Sequence, residues 1–435
     1  SLANNGGGSA GVTGITSILA SSSMTLSGTV YNANQQTYNA GAAANLISLT
    51  AGAATAFTST ADNITFTGTV TLANGSNLSV STAAGAGNVT LGAVNGTSDE
   101  TMTVNAGTGS VTVGAVGTAN QILNVGLTGS GITLNGNVIT SSTAASNGVT
   151  ITGPVTLGAN VTINTSAGNG AVSFSGATST INALADGGQS LTVTSGSGTV
   201  GFGAAIGGGN RLSALTITTS AALALPAVNL FTAGNLIVTS GALTQSGALT
   251  IPGTTTIDAG ANAITLTDGS NSFTGAVSLD NTGAAVPAQL SAGSTIDLGT
   301  CVIGNNLVVI TTNAGGITNT AGSGITVGGT SSFTAPNTAS ITLGNTANDF
   351  TGSVTFTAAA GNLTNVTVYD SSAIDLGPLA LSAAGTLTVT SEGAVTQTGG
   401  ALSGATLVVK TLNDAGAAIT LANVSNDFDT VDLRE

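Results

Sequence analysis

Carboxylates are the only reactive groups that this chain holds in number: seventeen acids, against three bases and no His in 435 residues. Without His, no Ser-His-Asp triad, His-assisted thiol or His-ligated metal can form. Arg211, Lys410 and Arg434 are the only bases, too few to leave an electrostatic footprint for a phosphate backbone, so nucleic acid is excluded as a partner. What remains is the two-carboxylate chemistry of polysaccharide hydrolases and lyases. Two groups of acids lie close enough in sequence to be weighed: Asp99 with Glu100, and Asp427, Asp429 and Asp432. Neighbouring residues of a strand point to opposite faces, which separates the first pair. The second group reads as solvating acids at a chain end. Tyr31 and Tyr38 are far from Tyr369 in sequence, so no aromatic platform for a sugar is visible. The expectation is a protein without enzymatic activity or cofactor.

Other chemistry reads blandly. Cys301 is the single cysteine, which excludes an intrachain disulfide, and it reads as a small buried apolar residue. Asp297 and Asp375 occupy equivalent places in Ile-Asp-Leu-Gly words. A periodic role, calcium included, is conceivable, and a solvent-facing turn acid is the simpler reading. The Gly-Gly-x-Gly-x-Asp signature of calcium-binding rolls is absent. Asn-x-Thr/Ser triplets at Asn63, Asn88, Asn160 and Asn362 match the glycosylation acceptor, but a Thr-alternating sequence produces them without selection. Thr192/Thr194, Thr216/Thr218 and Thr388/Thr390 raise the idea of a flat ice-binding face, yet such pairs recur irregularly along the chain.

The elements that would position these residues are strands. Leu191–Thr194, Leu215–Thr218, Ile264–Thr267 and Leu387–Thr390 alternate apolar with hydroxyl residues, putting Val, Leu and Ile on one face and Thr on the other. Gly, Asn, Ser and Ala clusters such as Gly6–Gly8 and Gly207–Asn210 separate them, as residues that tolerate positive φ do in turns. Nothing shows helical periodicity with caps. With 64 Gly, 3% aromatic and 5% charged residues, the chain reads as all-β. Its 41% hydrophobic content argues against disorder, and no apolar run reaches the length of a membrane-spanning helix.

The C-terminal part is a tandem array. Asn271-Ser-Phe273-Thr-Gly275 returns as Asn348-Asp-Phe350-Thr-Gly352 and as Asn426-Asp-Phe428. Ile264-Thr-Leu266, Ile341-Thr-Leu343 and Ile419-Thr-Leu421 keep the same period of 77 and then 78 residues, and Asp297 and Asp375 lie 78 apart. Phe66-Thr-Gly68 and Phe174-Ser-Gly176 are degenerate versions. These features predict one continuous parallel β-solenoid over 1–435, with an uncharged segment at 1–61, degenerate repeats at 62–263 and clear repeats at 264–435. Dividing the period evenly predicts four coils of about 19 residues, or three of about 26; the short strands favour 19. Equivalent turns would stack Asn271, Asn348 and Asn426 into side-chain ladders.

Residues 264–435 resemble the repeats of filamentous-haemagglutinin-like, β-strand-repeat giant bacterial surface proteins. The run Asn348–Val354, then Ile374–Gly377, then Leu387–Gln397 carries the likeness, and Leu236–Gln245 is an earlier copy. The resemblance implies a right-handed parallel β-helix, exported and displayed at the cell surface or shed as a fibre or adhesin. A solenoid has open strand edges, neither end of this chain shows a capping helix, and residues 1–61 are uncharged. The expectation is an extracellular filament that grows head-to-tail with itself or with neighbouring segments of a longer chain. The alternative is an adhesin or surface-layer component with a surface or carbohydrate ligand.

Overall fold

The computed structural model describes residues 14–83, 85–97, 99–142, 148–413 and 416–434. The Gly6–Gly8 cluster lies outside them. Every regular element among the described residues is a β-strand, and every strand pairing is parallel. The chain is a parallel β-solenoid that divides into two compact units, Ser1–Phe231 and Thr232–Glu435.

A single coil of the second unit shows the plan. Strands Ile264–Leu266, Ser272–Phe273 and Val277–Asn281 follow one another, and then Ala288–Ala292 returns to pair with Ile264–Leu266. Each coil thus has three faces, and each strand hydrogen-bonds to its counterpart one coil on. Alternation sets the burial: in Ile264–Leu266, Ile and Leu are fully buried and Thr265 faces out. The interior is therefore a set of in-register apolar rows. Aromatic rings stack in the same way, Tyr31 on Phe57 at 4.7 Å, Tyr38 on Phe66 at 4.9 Å and Phe333 on Phe356 at 5.8 Å between centroids.

Coil length varies. Register steps run from 18 residues, between Leu363 and Leu381, to 30, between Val161 and Leu191, and most fall near 23. The expected 19 thus lies at the short end, because corners between faces add residues that the strand signals do not reveal.

The 77–78-residue repeat is not a whole number of coils. Three coils on from Ile264, through Ala288 and Leu307, the register reaches Ser331, ten residues short of Ile341. Ile341 lies on the next face, paired with Ile317 and Val366. From Ile341 the register runs through Val366 and Leu387 to Leu407, and Ile419 lies beyond it, back on the sheet of Ile264 and paired with Val395. Two sequence repeats therefore span seven coils, and one repeat equals about three and a half. This replaces the even division expected from the sequence.

Candidate functional site

The residues with chemical capacity lie mostly at the corners and between coils. Asp297 accepts hydrogen bonds from the Thr318 and Thr320 hydroxyls of the next coil, at 2.8 and 2.5 Å. Asp375 does the same with Thr396 and Thr398, at 2.9 and 3.0 Å. The periodic role is therefore a clasp: one carboxylate bridges to a Thr-x-Thr pair 21 and 23 residues later.

Asn271, Asn348 and Asn426 do not stack on one another, which corrects the ladder expectation. Since a repeat advances by about half a turn beyond three coils, Asn348 sits at a different corner from Asn271 and Asn426, and those two are seven coils apart; the three precede Asp349–Phe350, Ser272–Phe273 and Asp427–Arg434. Each instead reaches back one coil. Their Oδ1 atoms accept from the backbone N–H of Leu249, Ile325 and Leu402, at 2.8, 3.0 and 2.9 Å. Asn271 and Gln245 also exchange two amide hydrogen bonds of 2.9 Å, and Asn426 and Gln397 two of 2.8 Å. In the middle copy the partner position is Asn319, one methylene shorter. It bonds to Leu298 O and Ser323 instead, and its Oδ1 is buried without a partner.

Phe273 and Phe350 are core residues, whereas Phe428 is half-buried. Gly275 and Gly352 are required by close approach. A Cβ at either would lie 2.5 Å from a carbonyl oxygen of the preceding coil, that of Gly253 or Gly329.

The acids weighed for catalysis are placed apart. Glu100 is fully buried while Asp99 is exposed. Glu100 accepts from Thr97 N and Oγ1 at 2.5 and 2.6 Å and from Gly75 N at 3.2 Å. Burial raises its carboxyl pKa, but these hydrogen bonds together outweigh burial and hold it below the ordinary glutamate value. Asp427, Asp429 and Asp432 lie along Asp427–Arg434, with Asp432 paired to Arg434. Tyr31 and Tyr38 are core residues, and Tyr369 donates to Glu392 Oε1 at 2.6 Å. Cys301 is buried, as expected, and burial pushes its thiol up to about 12.

Sequence reading missed Asp370. It is fully buried and accepts from Ser372 N and Oγ and from Phe350 N, at 2.7, 2.9 and 3.2 Å. Burial nevertheless pushes its carboxyl up. The Asp-Ser-Ser spelling of an Asx-turn was the signal available. The glycosylation-like Asn residues also serve corners: Asn63, Asn88 and Asn160 accept from Asn88 N, Ser110 N and Ser190 N, and Asn362 donates to Leu381 O. Among the described residues no three His, Cys, Asp or Glu side chains are grouped to hold a metal ion, and no helix is long and apolar enough to cross a membrane.

No curated protein and no solved structure matches the chain. Three successive stretches, residues 212–280, 283–357 and 361–433, match the model of a family described as repeats of unknown function (DUF5649), which identifies the array as a protein of β-strand repeats.

Proposed function

We propose that this chain is a structural segment of an extracellular bacterial surface or matrix fibre, of the filamentous-haemagglutinin-like kind, whose subunits or neighbouring segments continue coil on coil along the solenoid axis. One observation carries the reading. Side chains that could do chemistry are engaged in tying one coil to the next: Asp297 and Asp375 to threonine pairs, Asn271 and Asn426 to glutamines, Glu100 to Gly75 N and Asp370 to Phe350 N. Such a molecule has axial cohesion as its main product, and no catalytic role is assigned to it. A solenoid also offers a stacked coil the same parallel strand pairing that it uses internally.

Electron microscopy and fibre diffraction of undenatured protein from its natural source test this. Filaments of uniform width with an axial spacing of about 4.8 Å are expected. Discrete particles that never join end to end, at any concentration, would sink the proposal.

A further inference from the structure

The threonines that look irregular in sequence align on one face of the first unit. Ser17, Thr37, Thr65, Thr90, Thr112, Thr133, Thr156 and Asn182 are register partners on eight consecutive strands. The register steps are 20, 28, 25, 22, 21, 23 and 26 residues, which is why periodicity in the sequence hides the row. Six consecutive members are Thr, and all six point outward. Among the described residues these six hydroxyls have no hydrogen-bond partner, unlike those of Thr318, Thr320, Thr396 and Thr398.

The face is also uncharged. None of the eight strands contains an acid or a base. Asn63, Asn88 and Ser110 border the row on one side, and Gly92, Gly114 and Gly158 on the other. The glycines leave the threonines standing above their surroundings.

We infer that this face is a lateral interface with a second copy of the chain, distinct from any end-to-end contact. Two arguments select that occupant. A second copy carries hydroxyls and methyls at the same spacing of about 4.8 Å, so two rows interdigitate without mismatch, as identical side chains do between paired sheets. Charge selects the unit and the threonine row selects the face. Copies with a net charge of −14 repel, and they can approach most closely where the strands are uncharged. Of the first unit's uncharged strands, these carry the unbroken row of six threonines. Eight strands by three outward rows give roughly 500 Å² per partner from strand geometry. A pair then buries roughly 1,000 Å², the lower bound of specific interfaces. The contact is accordingly weak for one pair and strong only when repeated along a fibre. A two-fold axis between Thr90 and Thr112, the middle of the row, makes the contact isologous.

Sedimentation velocity of the full chain at low and high salt tests the inference. Dimers should increase with salt, because screening relieves repulsion elsewhere on the surface. Thr112→Lys should weaken association at least tenfold while leaving the circular dichroism and melting temperature unchanged. Thr112→Cys should cross-link with a short bis-maleimide, since native Cys301 is buried, whereas Ser79→Cys, on another face, should not. A chain that stays monomeric at every salt concentration overturns the inference, as does a Thr112→Lys variant that dimerises like the parent. Adsorption of a strictly monomeric chain to ice or crystalline cellulose through the same threonines would also overturn it, in favour of that occupant. Because Thr112→Lys leaves end-on contacts intact, filaments formed by that variant would separate this inference from the fibre proposal.

Discussion

Residues 1–231 contain four acids and one base, net −3, whereas residues 232–435 contain thirteen acids and two bases, net −11. Both build the same coil, with inward Val, Ile, Leu and Phe rows in register. The difference lies outside. The first unit presents a row of unengaged hydroxyls, and its one base, Arg211, forms a two-bonded pair with Asp186 beneath a ring contact with Phe231. The second uses outward carboxylates as clasps on threonines of the next coil. The solenoid thus requires only its inward alternation and its corner glycines and asparagines. Outward positions are free to diverge toward neutrality in one unit and acidity in the other.

If the inward rows are equivalent, truncating either should be equally damaging. Phe57→Ala and Phe350→Ala are each expected to cost about 3–5 kcal/mol, with lost hydrogen-exchange protection centred on the coils around each site. A loss several-fold larger in one unit would break the comparison at its first premise. The outward clasps are worth less: Asp375→Ala should cost about 1 kcal/mol, since its two hydroxyl bonds are partly solvated, read as a shift in denaturation midpoint. Asn319→Gln supplies the missing methylene opposite Asn348 and should stabilise the middle copy by about 1 kcal/mol, with slower exchange near Ile325.

Acid response sharpens the contrast further. The Glu100 carboxyl is held below its ordinary value of 4.5, so its stabilisation is present above that pH and lost as pH falls through the lower, folded value. Asp370 is held above its ordinary 3.8, so its ionised form is penalised at neutral pH and the penalty eases as pH falls toward 3.8. Relief of repulsion among the second unit's acids acts in the same direction. Exchange measured as pH falls from 7 toward 4.5 should therefore show the second unit gaining protection while the first holds steady. Below about 4.5 the coils around Glu100 should loosen. Parallel behaviour of the two sites would mean that neither carboxyl is tuned as described.

Strand character was legible throughout, because alternation such as Ile264-Thr-Leu266 states both conformation and facing. The repeat was legible in Asn348, Phe350 and Gly352. Register was not, since corners of different length carry no apolar signal, and so neither the Thr37–Thr156 row nor the half-turn advance of the repeat could be read. The roles of Asp297 and Asp375 were visible only as a recurring position. Which hydroxyls each carboxylate meets depends on the neighbouring coil, more than twenty residues away.

The half-turn advance of each repeat bears on how such an array can grow. Each added copy lengthens the solenoid by roughly 17 Å, three and a half strand spacings, and turns everything beyond it by about half a revolution. Losing or gaining one copy therefore re-aims every outward group downstream. Only changes in multiples of two, roughly 34 Å at the same spacing, restore the original bearing. Copy number in this lineage is a rotational setting as well as a length.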